Sequence, residues 1–187
     1  MSGHTNERFP SELGERTHRV IGEFARIGQD LSEIERSDLA WTLAVEAVSD
    51  RPLSSRLRAG RLMIAGNVAV YGRFLLPPKP WRLIGREVPT LDGGRVDLVW
   101  AHPDGRILYD ELKITLGGRD PFARIGTREQ GGRYLADGLA RHTRFVGVRI
   151  CALGAPRHSR LIAPGQLLRL CETPYWFERT GATGGTA

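Results

Sequence analysis

Residues 94–114 can fold in very few ways. Pro103-Asp104-Gly105 separates two runs rich in β-branched, aromatic and aliphatic residues, 94–101 and 107–114, and that pattern reads as two strands joined by a tight turn. Pro-Asp-Gly predicts a three-residue loop, a type I turn closed by a left-handed glycine. His102 then faces Arg106, and by the same register Asp97 lies opposite Glu111. Facing residues share one side of a sheet and side chains alternate along a strand. Lys113 therefore joins Asp97 and Glu111 on one side, while Asp110 and Leu112 point to the other. A loop one residue shorter or longer would shift the register and part the two carboxylates.

Two carboxylates at one point repel unless a cation lies between them or one takes up a proton. A hard divalent ion with oxygen ligands resolves the conflict. Such an ion lowers the pKa of a bound water and neutralises charge on a phosphate, which suits phosphodiester hydrolysis. Only two of the 27 basic residues are lysines, Lys79 and Lys113. An ammonium is a compact point charge that can approach a single oxygen, where a guanidinium is a wide planar fork. Lys113 is thus placed to hold an attacking hydroxide or stabilise a charge-rich transition state.

Asp97 followed by Glu111-Leu112-Lys113 resembles the PD-(D/E)XK nuclease superfamily, in which an acid on one strand and E-x-K on the next bind metal. The flanks resemble its RecB-like group. Residues 81–89 look like the strand that opens the catalytic sheet, Gln130 to Tyr134 matches the Q-x-x-x-Y helix motif, and Gly14 to His18 matches G-x-x-x-H. The order of the motifs is that of the family, and the likeness runs from about Ser11 to the strand at 145–153. Two departures stand out: Glu111 occupies a position where many relatives carry Asp, and residues 31–80 align with nothing in the family.

The resemblance implies an α/β fold with a mixed β-sheet flanked by helices, here extended by extra N-terminal helices. It also implies a metal-dependent DNA nuclease, with a leaning toward exonuclease action on single- or double-stranded ends. Asp97, Glu111 and the Leu112 carbonyl would hold Mg²⁺ or Mn²⁺, with His18 as a further ligand; an imidazole favours manganese somewhat. Lys113 would serve the nucleophile, and Gln130 and Tyr134, four apart on one helix face, would orient Lys113 or the DNA. Glu46, in an apolar helix, and Glu87 are weaker candidates for an additional acid. The rival readings are a nucleic-acid-binding module that does not cleave, and an RNA-directed or toxin-like nuclease, because metal chemistry at a phosphate is common to DNA and RNA.

The formal charge of +6 and an isoelectric point near 10 favour a polyanionic partner. Arginines cluster at Arg51, Arg56, Arg58 and Arg61 and again at Arg124, Arg128, Arg133, Arg141 and Arg144. The second cluster flanks the motif helix and supplies the expected DNA contacts, Arg124, Arg128, Arg133 and Arg141. No G-x-x-x-x-G-K-[ST] loop occurs, so ATP-driven unwinding would have to come from a helicase or recombination partner. Cys151 and Cys171 are the sole cysteines. Two thiols cannot ligate the iron–sulfur cluster of some RecB-like relatives, and reduced core thiols in a cytoplasmic protein are expected. The apolar run 62–76 is too short and too polar for a membrane span.

The chain length fits one domain. The expected organisation is a disordered tail at 1–10, a nuclease domain at 11–177 with a helical part at 11–76 and a catalytic core at 81–177, and a disordered tail at 178–187. Within it, helices are expected at 11–28, with Ser11 as N-cap, at 32–49, at 54–74 and at 127–141. A last short strand is expected at 166–171.

Overall fold

The computed structural model describes residues 8–49 and 55–165. The strand expected at 166–171, the tail at 178–187, most of the tail at 1–10, Arg51 and Cys171 lie outside the described residues. Three helices come first: α1 (Arg8–Ile27), α2 (Glu33–Glu46) and α3 (Ser55–Val70), the last running into a π-helical turn at Tyr71–Leu75. Strands β1 (Arg82–Pro89), β2 (Arg95–Ala101) and β3 (Ile107–Lys113) follow. Helix α4 (Ile125–Arg141) then leads to β4 (Phe145–Ala152), and a short β5 (Arg160–Ile162) ends the sheet.

The five strands lie in chain order, with β3 and β4 parallel and every other neighbouring pair antiparallel. This mixed sheet is flanked by helices, an α/β architecture in which α4 makes the crossover that parallel neighbours require. No helix among the described residues is long and apolar enough to cross a membrane.

The hairpin has the register expected from Pro-Asp-Gly. Ala101 pairs with Ile107, Trp100 with Leu108, Val99 with Tyr109 and Leu98 with Asp110. His102 N–H donates to the Arg106 carbonyl at 2.9 Å, and Gly105 closes the turn at φ +90°, a conformation that costs glycine little. The Arg144 guanidinium caps the turn through the Asp104 carbonyl.

Helix α1 begins at Arg8 rather than at Ser11, so Ser11 is a helical residue and not its cap, and 8–10 belong to the helix. The physical reason is Pro10, which is compatible with a first helical turn because the N–H it lacks has no intrahelical partner there. Its apolar stripe, Leu13, Val20, Ile21, Phe24 and Ala25, is buried against α3 and the sheet residues Leu98, Trp100, Leu108 and Leu112. Ser32 caps α2 in a full capping box with Glu35. On the opposite face, α4 covers Val99, Tyr109, Val148 and Ile150. A Cβ at Gly131 would lie 2.4 Å from Ile162 and one at Gly138 2.2 Å from Phe145. These two glycines let α4 sit close to the strands, which brings Gln130 and Tyr134 toward the end of β3.

One polar group is sealed inside the helical side. Asp110 and Arg149 pair across β3 and β4, both fully buried, with Arg149 Nε and Nη2 donating to the two carboxylate oxygens at 2.8 and 2.5 Å. Tyr71 Oη and Trp100 Nε1 also donate to Asp110 Oδ2, at 2.9 and 3.0 Å. Burial works against the Arg149 charge, and the Asp110 carboxylate more than offsets it. The π-helical turn after α3 is what presents Tyr71 to this group.

Candidate active site

The β2–β3 ladder ends at Leu98–Asp110. Beyond it, Leu112 N–H donates to Asp97 Oδ2 at 2.6 Å, so a side-chain carboxylate has taken the place of a strand carbonyl. That substitution holds Asp97 against β3, where Glu111 and Lys113 emerge.

From Asp97 the polar contacts run in two directions. Toward α1, His18 Nδ1 lies 3.1 Å from Asp97 Oδ1. Toward α4, Lys113 Nζ donates to Glu111 Oε1 at 2.7 Å and to Gln130 Oε1 at 2.7 Å. Gln130 Nε2 donates to Tyr134 Oη at 2.8 Å, and Tyr134 Oη donates to the Arg95 carbonyl at 2.6 Å. The ammonium is thus held between a strand carboxylate and a helix amide, and the amide is fixed by a tyrosine anchored on β2.

Glu87 completes a second grouping. It lies between the β1–β2 pairs Arg86–Leu98 and Val88–Val96, which sets it opposite Asp97. It is the one non-glycine residue with positive φ, +49°, among the described residues. Left-handed backbone in a strand is costly for a glutamate and tends to mark function. Ligand atoms of His18, Glu87 and Asp97 all lie within 4.8 Å of one another.

Charge at the site is crowded. Burial first, and the Asp97 charge second, push Glu111 up to about 7 against the pull of Lys113. Burial and then Asp97 also raise Glu87. Burial opposes a charge on His18, but the Asp97 hydrogen bond and the surrounding carboxylates outweigh it and raise the imidazole. Among the described residues, Glu111 Oε2 is buried with no hydrogen-bond partner. A buried carboxylate oxygen without a donor calls for a proton, a water or a cation.

These observations fit a divalent ion. One imidazole and three carboxylates, one of them with an oxygen that lacks a donor, form a donor set that could hold a hard divalent ion. His18, Glu87 and Asp97 are the tight group, with Glu111 beside them.

The titration has a direct thermodynamic consequence. A carboxyl whose pKa rises on folding stabilises the fold fully below its ordinary value, 4.5 for Glu111, and that contribution is lost as pH rises through about 7. The raised His18 acts in the same direction. Without metal, the melting temperature should therefore fall between about pH 5 and pH 8, and Mn²⁺ should raise it more at pH 8 than at pH 5. Thermal melts in EDTA and in Mn²⁺ across that range, with Glu111→Gln flattening the EDTA curve, would check this; a flat wild-type curve in EDTA would contradict it.

Of the residues singled out in the sequence, Asp97, Glu111, Lys113, Gln130, Tyr134 and His18 form one connected set, and Glu87 joins it at Asp97. The Leu112 N–H is part of that set through Asp97. Glu46 is not: it is exposed at the end of α2, and no hydrogen bond or ion pair among the described residues links it to the carboxylates. Nor do the α4 arginines reach the group. Arg128 donates to the Phe122 carbonyl, Arg133 pairs with Asp92 and Arg141 with Asp137, while Arg124 is exposed at the helix start.

A cleft of about 780 Å³ opens beside the carboxylates, with Glu15, His18, Arg19, Gly22 and Glu23 of α1 on one side and residues of β1 and β2 on the other. The α1 residues recur at helical spacing along one flank, a polar stripe that was visible in the sequence once His18 was chosen. Arg86 and Arg95, which also line the cleft, carry no such signal, because they meet α1 only through the tertiary fold. A scan of the chain against protein-family models finds no match, and a search among curated proteins finds no similar sequence.

Proposed function

We propose that this chain is a metal-dependent DNA nuclease of the PD-(D/E)XK type with RecB-like motifs. The observation that carries the reading is the Glu111–Lys113–Gln130–Tyr134 chain of hydrogen bonds, set beside Asp97. With Asp97, which accepts from the Leu112 N–H, five residues from three separate motifs of the resemblance meet in one polar network. A solvated strand-end lysine would have no need of a helix amide held by a tyrosine.

Asp97, Glu111, Glu87 and His18 would hold the ion, together with the Leu112 carbonyl that the resemblance implies. A bound divalent ion supplies a water of lowered pKa and neutralises phosphate charge. Lys113 is fixed by two acceptors, so its third N–H is the one left for the attacking oxygen or for a non-bridging phosphate oxygen. Gln130 and Tyr134 position that ammonium, and the Arg95 carbonyl anchors them. Glu111, with one oxygen on Lys113, couples the ammonium to the metal-holding group. Cytoplasmic action on DNA ends, with unwinding supplied by a partner, extends this reading.

The test is cleavage of linear and closed circular, single- and double-stranded DNA, with RNA alongside, in Mg²⁺, Mn²⁺ and EDTA, by wild type and Asp97→Asn. Metal-dependent loss of linear DNA that Asp97→Asn removes is the expected result, and sparing of closed circles would identify action at ends. Cleavage of RNA alone would reassign the substrate. DNA binding without cleavage of any of these substrates would move the chain to the non-cleaving class.

A further inference from the structure

We propose that Arg19 and Arg95 hold the phosphate backbone of DNA in the cleft beside the carboxylates, and that they do so only when the divalent ion is bound. The inference rests on the nuclease reading and assigns its DNA-contacting residues.

The cleft has a mixed lining. Glu15, Glu23, Glu87 and Asp97 supply four carboxylates, against the guanidiniums of Arg19, Arg86 and Arg95. Arg86 is committed: it pairs with Glu23 across Gly22, where an added Cβ would lie 2.9 Å from Arg86 Cδ. Gly22 thus leaves room for the Arg86 side chain against α1. Arg19 and Arg95 are exposed, one on α1 and one at the start of β2.

Arg95 is also held in place. Its carbonyl accepts from Tyr134, the residue that anchors Gln130 and through it Lys113. It lies close enough for its charge to act on Glu87. The residue offering a guanidinium to the cleft is therefore tied by its backbone to the network that holds the ammonium.

With four carboxylates against three guanidiniums and the His18 imidazole, the metal-free cleft has no net positive charge to draw an anion. A divalent ion on His18, Glu87 and Asp97 supplies it. Charge of one sign lining a concave, poorly solvated wall is what concentrates a polyanion. The α4 arginines offer less, since Arg128, Arg133 and Arg141 are already engaged within the chain.

The experiment measures the affinity of a fluorescent DNA oligonucleotide for the full chain in a Lys113→Ala background, in Mg²⁺ and in EDTA, over a range of salt, at about pH 8.5 so that Glu111 ionises without the ammonium. Wild-type cleavage is followed in parallel. Arg19→Ala/Arg95→Ala should weaken binding about tenfold or more in Mg²⁺ and lower the salt slope by about 2. In EDTA the double substitution should change little. Arg82→Ala, an exposed arginine of β1, serves as the control. Unchanged Mn²⁺ affinity and melting temperature in the double variant would show that the donor group and the fold survive.

Equal affinity and salt slope with and without the two arginines would overturn the inference, as would an equal loss in Mg²⁺ and EDTA. So would a loss of binding confined to Arg124→Ala/Arg133→Ala. If the wild type still cuts DNA in any of these cases, the nuclease reading stands without this assignment. A chain that neither binds nor cuts DNA removes both.

Discussion

Lys113→Ala is expected to slow metal-dependent DNA cleavage by about a hundredfold or more, the usual scale for removing one preorganised donor from a reacting oxyanion. The fold should survive, because Lys113 is partly exposed and its side-chain hydrogen bonds both go to site residues, Glu111 and Gln130. The difficulty is that Lys113 also lowers the Glu111 pKa. Without the ammonium, Glu111 would hold its proton more tightly at neutral pH and metal would bind less well. A slow variant at pH 7 could then reflect a lost ligand charge rather than a lost catalytic group.

Raising the pH separates the two effects. At about pH 8.5 Glu111 ionises in the variant as well, so Mn²⁺ affinity should return toward the wild-type value while cleavage stays about a hundredfold slower. Cleavage that recovers fully at that pH would mean Lys113 does no more than keep Glu111 charged. Lys113→Arg should not rescue either, because a planar fork cannot take the place of a point charge between Glu111 Oε1 and Gln130 Oε1.

How much of this was legible in the sequence depends on whether local chemistry or tertiary packing fixed each feature. Pro103-Asp104-Gly105 set the hairpin register because a turn type admits one loop length, and the facing of Asp97 and Glu111 followed. Gln130 and Tyr134 were legible because four residues is one helical turn. Glu87 was only a weak candidate, since its approach to His18 depends on a left-handed backbone that nothing in Arg86-Glu87-Val88 requires. Glu46 could be no more than a weaker candidate, because helical periodicity tells how a face is spaced but not which neighbour it meets. The start of α1 was misjudged because proline is tolerated within a first turn.

Arg149 is the clearest signal left unused. It is one charge in the otherwise apolar β4, and Asp110 lies in the mostly apolar first part of β3. A lone charge in a buried strand needs an opposite charge nearby, and a pairing could have been sought between them. Their neighbourhood in space, by contrast, needed the parallel β3–β4 register, which comes from α4 and is not local.

That buried pair carries the largest stability effect expected in the molecule. Arg149→Met should cost about 3–5 kcal/mol in chemical denaturation, because it leaves the Asp110 charge buried with only the neutral donors Tyr71 and Trp100. The loss comes mainly from stranding a charge and only in part from the attraction of the pair. Adding Asp110→Asn to Arg149→Met should therefore recover about 2 kcal/mol, since the amide oxygen still accepts from Tyr71 and Trp100 and no buried charge remains. A double variant less stable than Arg149→Met alone would show instead that the carboxylate is favourable there even without its partner. Asp110 immediately precedes Glu111, so the same substitution should loosen β3 where the site emerges. Arg149→Met should weaken Mn²⁺ binding, and the double variant should restore part of it along with the stability.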